Sequence, residues 1–241
     1  MSKADAKTAL VVSAHSADFV WRAGGAIALY TQRGWEITVV CLSFGERGES
    51  AKLWREPPMT IEKVKTIRKD EAVRAAAILG AKVIFFDVGD YPMRIPDTVL
   101  FELAALHRKI RPAFVLTHSL ADPYNFDHPL VSHAAQEARI IAQAHGHEPA
   151  TPVIGAPPVF LFEPHQPEQC NWKPQLLLDI TPVWSRKYEA FQAMSAQEHL
   201  WHYYERVALQ RGVQASRNSD KTVKYAEGYQ RVFPQVTEEL S

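Results

Sequence analysis

The chain has 241 residues, of which 46% are hydrophobic and 22% are charged, as in ordinary globular proteins with a substantial core. Its 27 basic and 27 acidic residues give no net charge, which argues against binding to nucleic acid or to an anionic membrane. Two cysteines, Cys41 and Cys170, are too few for a disulfide framework, and no stretch resembles a signal peptide or a membrane span. We therefore expect one cytoplasmic domain over residues 1–241.

Strand-like and helix-like segments alternate through the first half of the chain. β-branched and apolar runs predict strands at residues 8–13, 36–42, 82–86 and 113–117. Helical periodicity predicts helices at residues 20–34, 60–79, 97–110 and 130–143. This alternation predicts an α/β fold with a mostly parallel sheet that is covered by helices on both faces.

The second half of the chain is richer in proline from Pro149 onwards. We predict strands at residues 159–162 and 176–180 and one long helix at residues 184–208. The polar tail at residues 221–234 carries aromatic side chains, which we expect to dock on the rest of the domain.

The loop after the first strand carries His15 and Asp18, followed by a pair of glycines. Ligands in open α/β sheets bind beyond the carboxyl ends of the strands, and both residue types bind divalent metals. The stretch alone leaves two interpretations open. The residues are metal ligands, or Asp18 caps the following helix and His15 is an ordinary loop histidine.

Three further loops at strand ends carry ionisable side chains. They hold Glu46 and Glu49, then His118, Asp127 and His128, and finally Glu163 and His165. Parallel strand ends lie on one edge of a sheet, so the four loops are expected to meet. Two histidines and one aspartate would make a three-ligand metal site with a position open for water.

The motifs in these loops resemble those of the PIG-L/LmbE-type metal-dependent deacetylases, which act on N-acetylglucosaminyl compounds. The matching segments are residues 14–19, 24–25, 45–48, 68–71, 117–118 and 125–128. The resemblance implies a Rossmann-like three-layer αβα sandwich. It also implies that His15, Asp18 and His128 are metal ligands, usually for zinc, although such sites accept other divalent ions such as Fe²⁺ or Co²⁺.

The chain departs from the family pattern at two positions. The aspartate that serves the family as general base is Ala17 here, and the first histidine of the family's later His-Pro-Asp-His motif is Asn125. General bases contribute about 10²–10⁴-fold to a rate, so an ordinary deacetylase would be badly impaired. The protein is then either an inactive deacetylase or an enzyme that uses the same metal site for other chemistry.

A narrower resemblance favours other chemistry. Residues 13–28 and 43–54 are similar to the 4-oxalomesaconate hydratases of this superfamily, which act in gallate and protocatechuate catabolism. These enzymes add water across a conjugated C=C of their substrate, also called 4-carboxy-2-hydroxymuconate, to give 4-carboxy-4-hydroxy-2-oxoadipate. The resemblance implies a small tricarboxylate substrate, and we expect a closed homo-oligomer because such assemblies are common.

We assign provisional roles on this basis. Glu46 is expected to deprotonate the water and His165 to protonate the carbon, since histidine titrates near neutrality. The predicted substrate-binding residues are Arg22, Arg47, Arg68, Asn125 and Asp127. Arginine is suited to bidentate binding of carboxylates.

Simpler roles remain open for several of these residues. Glu49 lies three residues from Glu46 and is an alternative base. Asp127 is expected to orient a ligand histidine, to cap a helix, or both. Arg68 is placed to pair with Glu71 one helical turn away, and His118 is expected to form a local hydrogen bond.

Two rival functions are kept beside hydration. One is a zinc-dependent N-deacetylase of an N-acetylglucosaminyl-type substrate that uses Glu46 or a displaced base. The other is a relative that binds metal or ligand without turnover.

Overall fold

Seven strands form one sheet in the computed structural model, which describes residues 6–238. The ends of the predicted domain, residues 1–5 and 239–241, lie outside the described part. The strands are β1 Thr8–Ser13, β2 Glu36–Cys41, β3 Lys82–Phe85, β4 Val115–Thr117, β5 Val159–Phe162, β6 Leu176–Asp179 and β7 Ala226–Arg231. Their spatial order is β3-β2-β1-β4-β5-β7-β6, with β1 at the centre.

Strands β1 to β5 pair in parallel. Strand β7 is antiparallel to both of its neighbours, β5 and β6. The helices are α1 Asp18–Gln32, α2 Ala51–Trp54, α3 Ile61–Leu79, α4 Asp97–Ile110, α5 Asp127–Gln143, α6 Trp184–Gln192 and α7 Trp201–Arg217. Short 3₁₀ helices cover Pro167–Cys170, Thr181–Val183 and Ser195–Leu200. The predicted α/β fold with a mostly parallel sheet is confirmed.

The central strand β1 shows why the molecule has three layers. Side chains alternate across a strand, so Ala9 and Val11 pack into one apolar cluster while Leu10 and Val12 pack into another. Helices α1, α3, α6 and α7 supply the first cluster, and α4 and α5 supply the second. The sheet is therefore buried on both faces, as parallel sheets usually are.

Strand β7 was not predicted, because its residues were assigned to a polar docking tail. It lies between β5 and β6, antiparallel to both. Its Glu227 is buried but neutralised, since Lys187 Nζ lies 2.6 Å away and the backbone N–H groups of Gly25 and Ala26 donate to it. Because the buried charge of Glu227 is paired, β7 is a core strand even though its sequence is polar.

The prediction of one long helix at residues 184–208 was wrong. Helix α6 ends at Gln192, and the 3₁₀ segment Ser195–Leu200 separates it from α7. Glu71 accepts hydrogen bonds of 2.8 Å from Ser195 Oγ and from the Ala196 backbone N–H, and Gln197 has non-helical φ/ψ angles of −125° and 36°. The interruption turns the chain toward the edge of the sheet that carries the predicted site.

Within residues 6–238, the structure contains no helix with both the length and the apolar character required to cross a lipid bilayer.

Candidate active site

A cavity of about 220 Å³ lies where the loops after β1, β2, β4 and β5 converge at the carboxyl ends of the strands. The predicted residues Asp18, Arg22, Asn125, His128 and His165 line it. Its other walls include Glu49, Tyr124, Gln197 and Tyr204. The four predicted loops therefore meet, although some of their predicted residues face elsewhere.

Asp18 joins the two predicted histidine ligands. One carboxylate oxygen lies 3.2 Å from His15 Nδ1, and the other lies 3.4 Å from His128 Nε2. The His15 backbone N–H also donates to Asp18 at 2.8 Å. Asp18 is the first residue of α1 and its side chain caps no helical N–H, so the simpler interpretation as a helix cap does not apply.

Each of these histidines is held from behind by another aspartate. His128 Nδ1 lies 2.8 Å from Asp122, and His15 Nε2 lies 3.2 Å from Asp127. Carboxylates in this position fix the tautomer and the ring orientation of metal-binding histidines. The Asp127 carboxylate also accepts the backbone N–H groups of Tyr91 and Met93, and it does not line the cavity. Its place behind His15 suits the first of the two roles left open for it, which stays a prediction.

The residues fit a divalent metal ion. In the tautomer of His128 that donates its Nδ1–H to the Asp122 carboxylate, Nε2 carries a free lone pair, and that buried atom has no hydrogen-bond partner within residues 6–238. Two ligand atoms each ~2.1 Å from a tetrahedral ion are roughly 3.4 Å apart. The separations of 3.2 and 3.4 Å are close to that spacing, and they run to the two different oxygens of the Asp18 carboxylate.

Within residues 6–238, two groups of three potential ligand atoms lie close together, and the two groups share His128. The ligand atoms of His15, Glu49 and His128 lie within 4.8 Å of one another, and so do those of Asp18, His118 and His128. The local hydrogen bond expected for His118 is not what the structure has, because its Nε2 instead accepts the backbone N–H of Ala14, which is distant in the chain, at 2.9 Å. That lone pair is occupied, so His118 supports the site by stacking on His128 with ring centroids 4.1 Å apart.

The electrostatics of this cluster favour a bound cation. Burial acts to lower the pKa of His15, but hydrogen bonds to Asp127 and Asp18 outweigh burial and raise that pKa well above its usual value. Burial acts to raise the pKa of Asp18, but the neighbouring His128, His118 and His15 outweigh burial and hold that pKa well below its usual value.

The two candidate bases are placed differently. Glu46 is fully buried and does not line the cavity, and its Oε1 lies 3.3 Å from Arg47 Nη1. Burial, with the charge of Asp90, raises the pKa of Glu46. Glu49 does line the cavity, and its Oε1 lies 3.8 Å from His15 Nδ1.

The predicted acid and one predicted arginine reach the cavity. His165 lines it from the loop after β5, and burial, followed by the charge of Arg22, lowers its pKa. Arg22 donates to the Glu163 carbonyl oxygen and lies 3.8 Å from Asp122. Among the lysines and arginines of residues 6–238, Arg22 alone lines this cavity.

Two other predicted substrate-binding residues do not line the cavity. Arg47 is half exposed and lies against Glu46 and Asp90 outside the cavity. Arg68 is fully buried and forms the expected pair with Glu71 at 2.6 Å. In the folded protein, Arg68 therefore has no exposed surface that could contact a substrate.

Comparison with known proteins places the chain in a family. Residues 10–139, more than half of the chain, match the family model PIG-L, described as GlcNAc-PI de-N-acetylase. The chain belongs to the PIG-L family. It is 65% identical, over 98% of its length and 93% of the relative's, to a protein of Pseudomonas putida KT2440 named 4-oxalmesaconate hydratase.

Solved structures of PIG-L-like proteins share the fold. The crystal structure of GalB, the 4-carboxy-2-hydroxymuconate hydratase from Pseudomonas putida KT2440, has a TM-score of 0.95 at 65% identity and covers 98% of this chain and 100% of that one. N,N'-diacetylchitobiose deacetylase from Pyrococcus horikoshii has a TM-score of 0.79 at 23% identity, with 95% and 84% covered. The second likeness concerns the fold alone.

Sequence reasoning missed two residues of this PIG-L site. Asp122 lies in the second polar loop, six residues before His128, and that carboxylate–histidine spacing was a signal that could have been used. Gln197 gave no signal, because it lies in a segment that was predicted as regular helix. It reaches the cavity only because that helix is interrupted.

Proposed function

We propose that this chain catalyses the metal-dependent hydration of 4-oxalomesaconate to 4-carboxy-4-hydroxy-2-oxoadipate. The observation that carries the proposal is the cluster of His15, Asp18 and His128, the proposed metal ligands, beside Ala17 at the position where the family resemblance puts the deacetylases' general base. The 65% identity to the protein named 4-oxalmesaconate hydratase supports hydration over deacetylation.

The product, 4-carboxy-4-hydroxy-2-oxoadipate, requires a hydroxyl on C4 of the substrate and a proton on C5, the other carbon of the double bond. A divalent ion, which we propose to be zinc held by His15, Asp18 and His128, would supply a water of lowered pKa. Glu49 replaces Glu46 as the proposed base, because Glu49 lines the cavity beside His15 and Glu46 does not. Glu49 accepts the proton of the attacking water.

His165 is the proposed acid on the opposite side of the reaction. Its position on the cavity wall supports protonation of the carbon that becomes carbanionic. Burial and Arg22 lower its pKa, whereas the carboxylates of a bound tricarboxylate would raise it and favour the protonated form. Arg22 is the proposed partner of one substrate carboxylate.

A spectrophotometric assay tests this function. Purified protein loaded with zinc should remove the conjugated absorbance of 4-carboxy-2-hydroxymuconate, and chelator-treated protein should not. Reloading the treated protein with metal should restore turnover. Absence of turnover in the loaded protein, with acetate released from an N-acetylglucosaminyl compound, would replace the proposal with the deacetylase alternative.

The expected closed homo-oligomer and the cytoplasmic location stay predictions. Light scattering of the purified protein tests the first, and cell fractionation tests the second.

A further inference from the structure

Both oxygens of the Glu49 carboxylate accept a hydrogen bond from a side-chain amide. Asn125 Nδ2 donates to Oε1 at 2.9 Å, and Gln197 Nε2 donates to Oε2 at 2.7 Å. The Glu49 side chain is only 19% exposed. A glutamate side chain has three rotatable bonds, so two fixed donors are what hold this one in a single position at the cavity.

The orientation of each amide is set by a second partner. Arg68 has only N–H donors, and its Nη2 donates to Gln197 Oε1 at 2.7 Å, so the Gln197 amide must turn its own N–H groups toward Glu49. Asn125 Oδ1 accepts the Asp127 backbone N–H at 3.0 Å, which turns the Asn125 amide in the same sense.

Arg68 also belongs to a hydrogen-bonded group, the anchor, which it forms with Glu71, Ser195 and Ala196. The anchor brings Gln197 to the cavity. Its Nη1 donates to Glu71 at 2.6 Å, and the other oxygen of Glu71 binds Ser195 Oγ and the Ala196 backbone N–H. Arg68 and Glu71 are fully buried, and Gln197 is 3% exposed. The anchor therefore fixes both the backbone before Gln197 and the carbonyl oxygen of its side chain.

We propose that Gln197 is a positioning residue for the reaction, oriented by Arg68 so that it holds the Glu49 carboxylate in place to receive the proton of water. The inference rests on the function proposed above, with Glu49 as the base. It gives Arg68 an indirect role in the site, in place of the substrate contact that the sequence suggested. Fixing a reacting group in its working geometry is a large part of catalysis, so loss of Gln197 should lower kcat more than it raises KM.

Two near-isosteric substitutions separate this role from a structural one. Gln197→Glu keeps an oxygen for Arg68 and so keeps the buried anchor satisfied, but it removes the donor to Glu49. Gln197→Met removes the donor without adding a charge beside an anionic substrate. We expect kcat to fall at least about tenfold in both variants, with KM within about threefold of wild type in Gln197→Met.

The matched control is Gln210→Glu, which makes the same chemical change at an exposed position of α7. It should leave kcat and KM at their wild-type values. Metal content and melting temperature are measured for every variant, so a loss of metal or of folding is not mistaken for a loss of positioning.

A double-mutant cycle with Glu49→Gln decides the case if Gln197→Met folds poorly. If Gln197 acts through Glu49, Gln197→Glu should cost little further rate once Glu49 is already replaced. The inference is overturned if the soluble Gln197→Glu variant retains wild-type kcat, or if its loss is undiminished in the Glu49→Gln background. Failure of the wild-type protein to turn over 4-carboxy-2-hydroxymuconate would instead count against the proposed function.

Discussion

Ala17 occupies a buried position next to Asp18, a proposed metal ligand, where the resemblance to the PIG-L deacetylases implies a carboxylate in those enzymes. We expect Ala17→Asp to lower kcat/KM for hydration by at least about 10²-fold, the lower end of what a misplaced acid–base group costs. The added carboxylate would compete with Glu49 for the water and repel an anionic substrate. Steady-state kinetics with metal analysis would measure the loss.

The control for that substitution is Ala17→Asn, which adds nearly the same volume without the charge. If both variants lose equal activity, bulk and not charge is responsible. A rise in hydration rate in Ala17→Asp would contradict the proposed mechanism outright.

Glu46 and Glu49 form a natural pair for testing the base, since they lie three residues apart and only Glu49 lines the cavity. Glu49→Gln should reduce kcat by about 10²–10⁴-fold, the range that general bases contribute. Glu46→Gln should stay within about tenfold of wild type, because its carboxylate faces Arg47. The opposite ranking in steady-state assays would return the base to Glu46.

Among the secondary-structure elements, α4 carries a test of pH-dependent stability. Its His107 is buried, and neither ring nitrogen has a hydrogen-bond partner among the described residues. Burial, followed by the charge of Arg139, lowers its pKa to about 4 from the ordinary 6.5. The unfolded chain therefore binds a proton at His107 more readily than the folded chain does. The free energy of unfolding thus decreases as the pH falls from 6.5 toward 4.

The expected contribution of His107 is a loss of about 2 kcal/mol between pH 7 and pH 5. Urea denaturation of the wild type and of His107→Leu at both pH values would measure it, and the variant should lose less stability by that amount. His133→Ala removes an exposed histidine from α5 and serves as the control for the loss of a histidine side chain. Parallel losses in the wild type and in His107→Leu would show that His107 does not titrate as inferred.

The elements also show what a sequence can predict. Strands β1 to β5 are short apolar runs between polar loops. The local sequence pattern was enough to predict these strands and to predict that their loops meet at one edge of the sheet. Helix α3 has a side-chain cap at Thr60 and a left-handed glycine at Gly80, so both of its ends were visible in the sequence.

What the sequence did not predict depends on partners far away in the chain. Strand β7 needs Lys187 to neutralise Glu227, and the interruption before α7 needs Glu71 on α3. The same holds within the site. Composition of the loops indicated a metal centre, but only the fold shows that Glu49 lines the cavity while Glu46 faces Arg47.

At the scale of the whole molecule, the two halves of the chain contribute different residues to the candidate site. The family model covers residues 10–139, which contain His15, Asp18 and His128 together with Asp122 and Asp127 behind the histidines. The later half adds His165, Gln197 and Tyr204 around the cavity. The first half thus contains the proposed metal ligands, and both halves contribute to the cavity wall.

A metal ion bound at the proposed site would link distant parts of the fold. Asp18 begins α1 and His128 lies in α5, on opposite faces of the sheet, so an ion bound by both stabilises the folded chain over the unfolded one. At a free metal concentration 100 times the Kd, the stabilisation is about 2.7 kcal/mol. For a domain of this size, chelation should then lower Tm by roughly 5–10 °C.

Differential scanning fluorimetry with and without chelator measures that shift, and zinc added in excess should reverse it. Asp18→Asn supplies the control, because a protein that no longer holds the ion has none to lose and its Tm should not respond to chelator. An equal chelator effect on Asp18→Asn would mean that the stabilising ion lies elsewhere. A response confined to the wild type would show that the stabilising ion is held by Asp18, as the proposed ligand set requires.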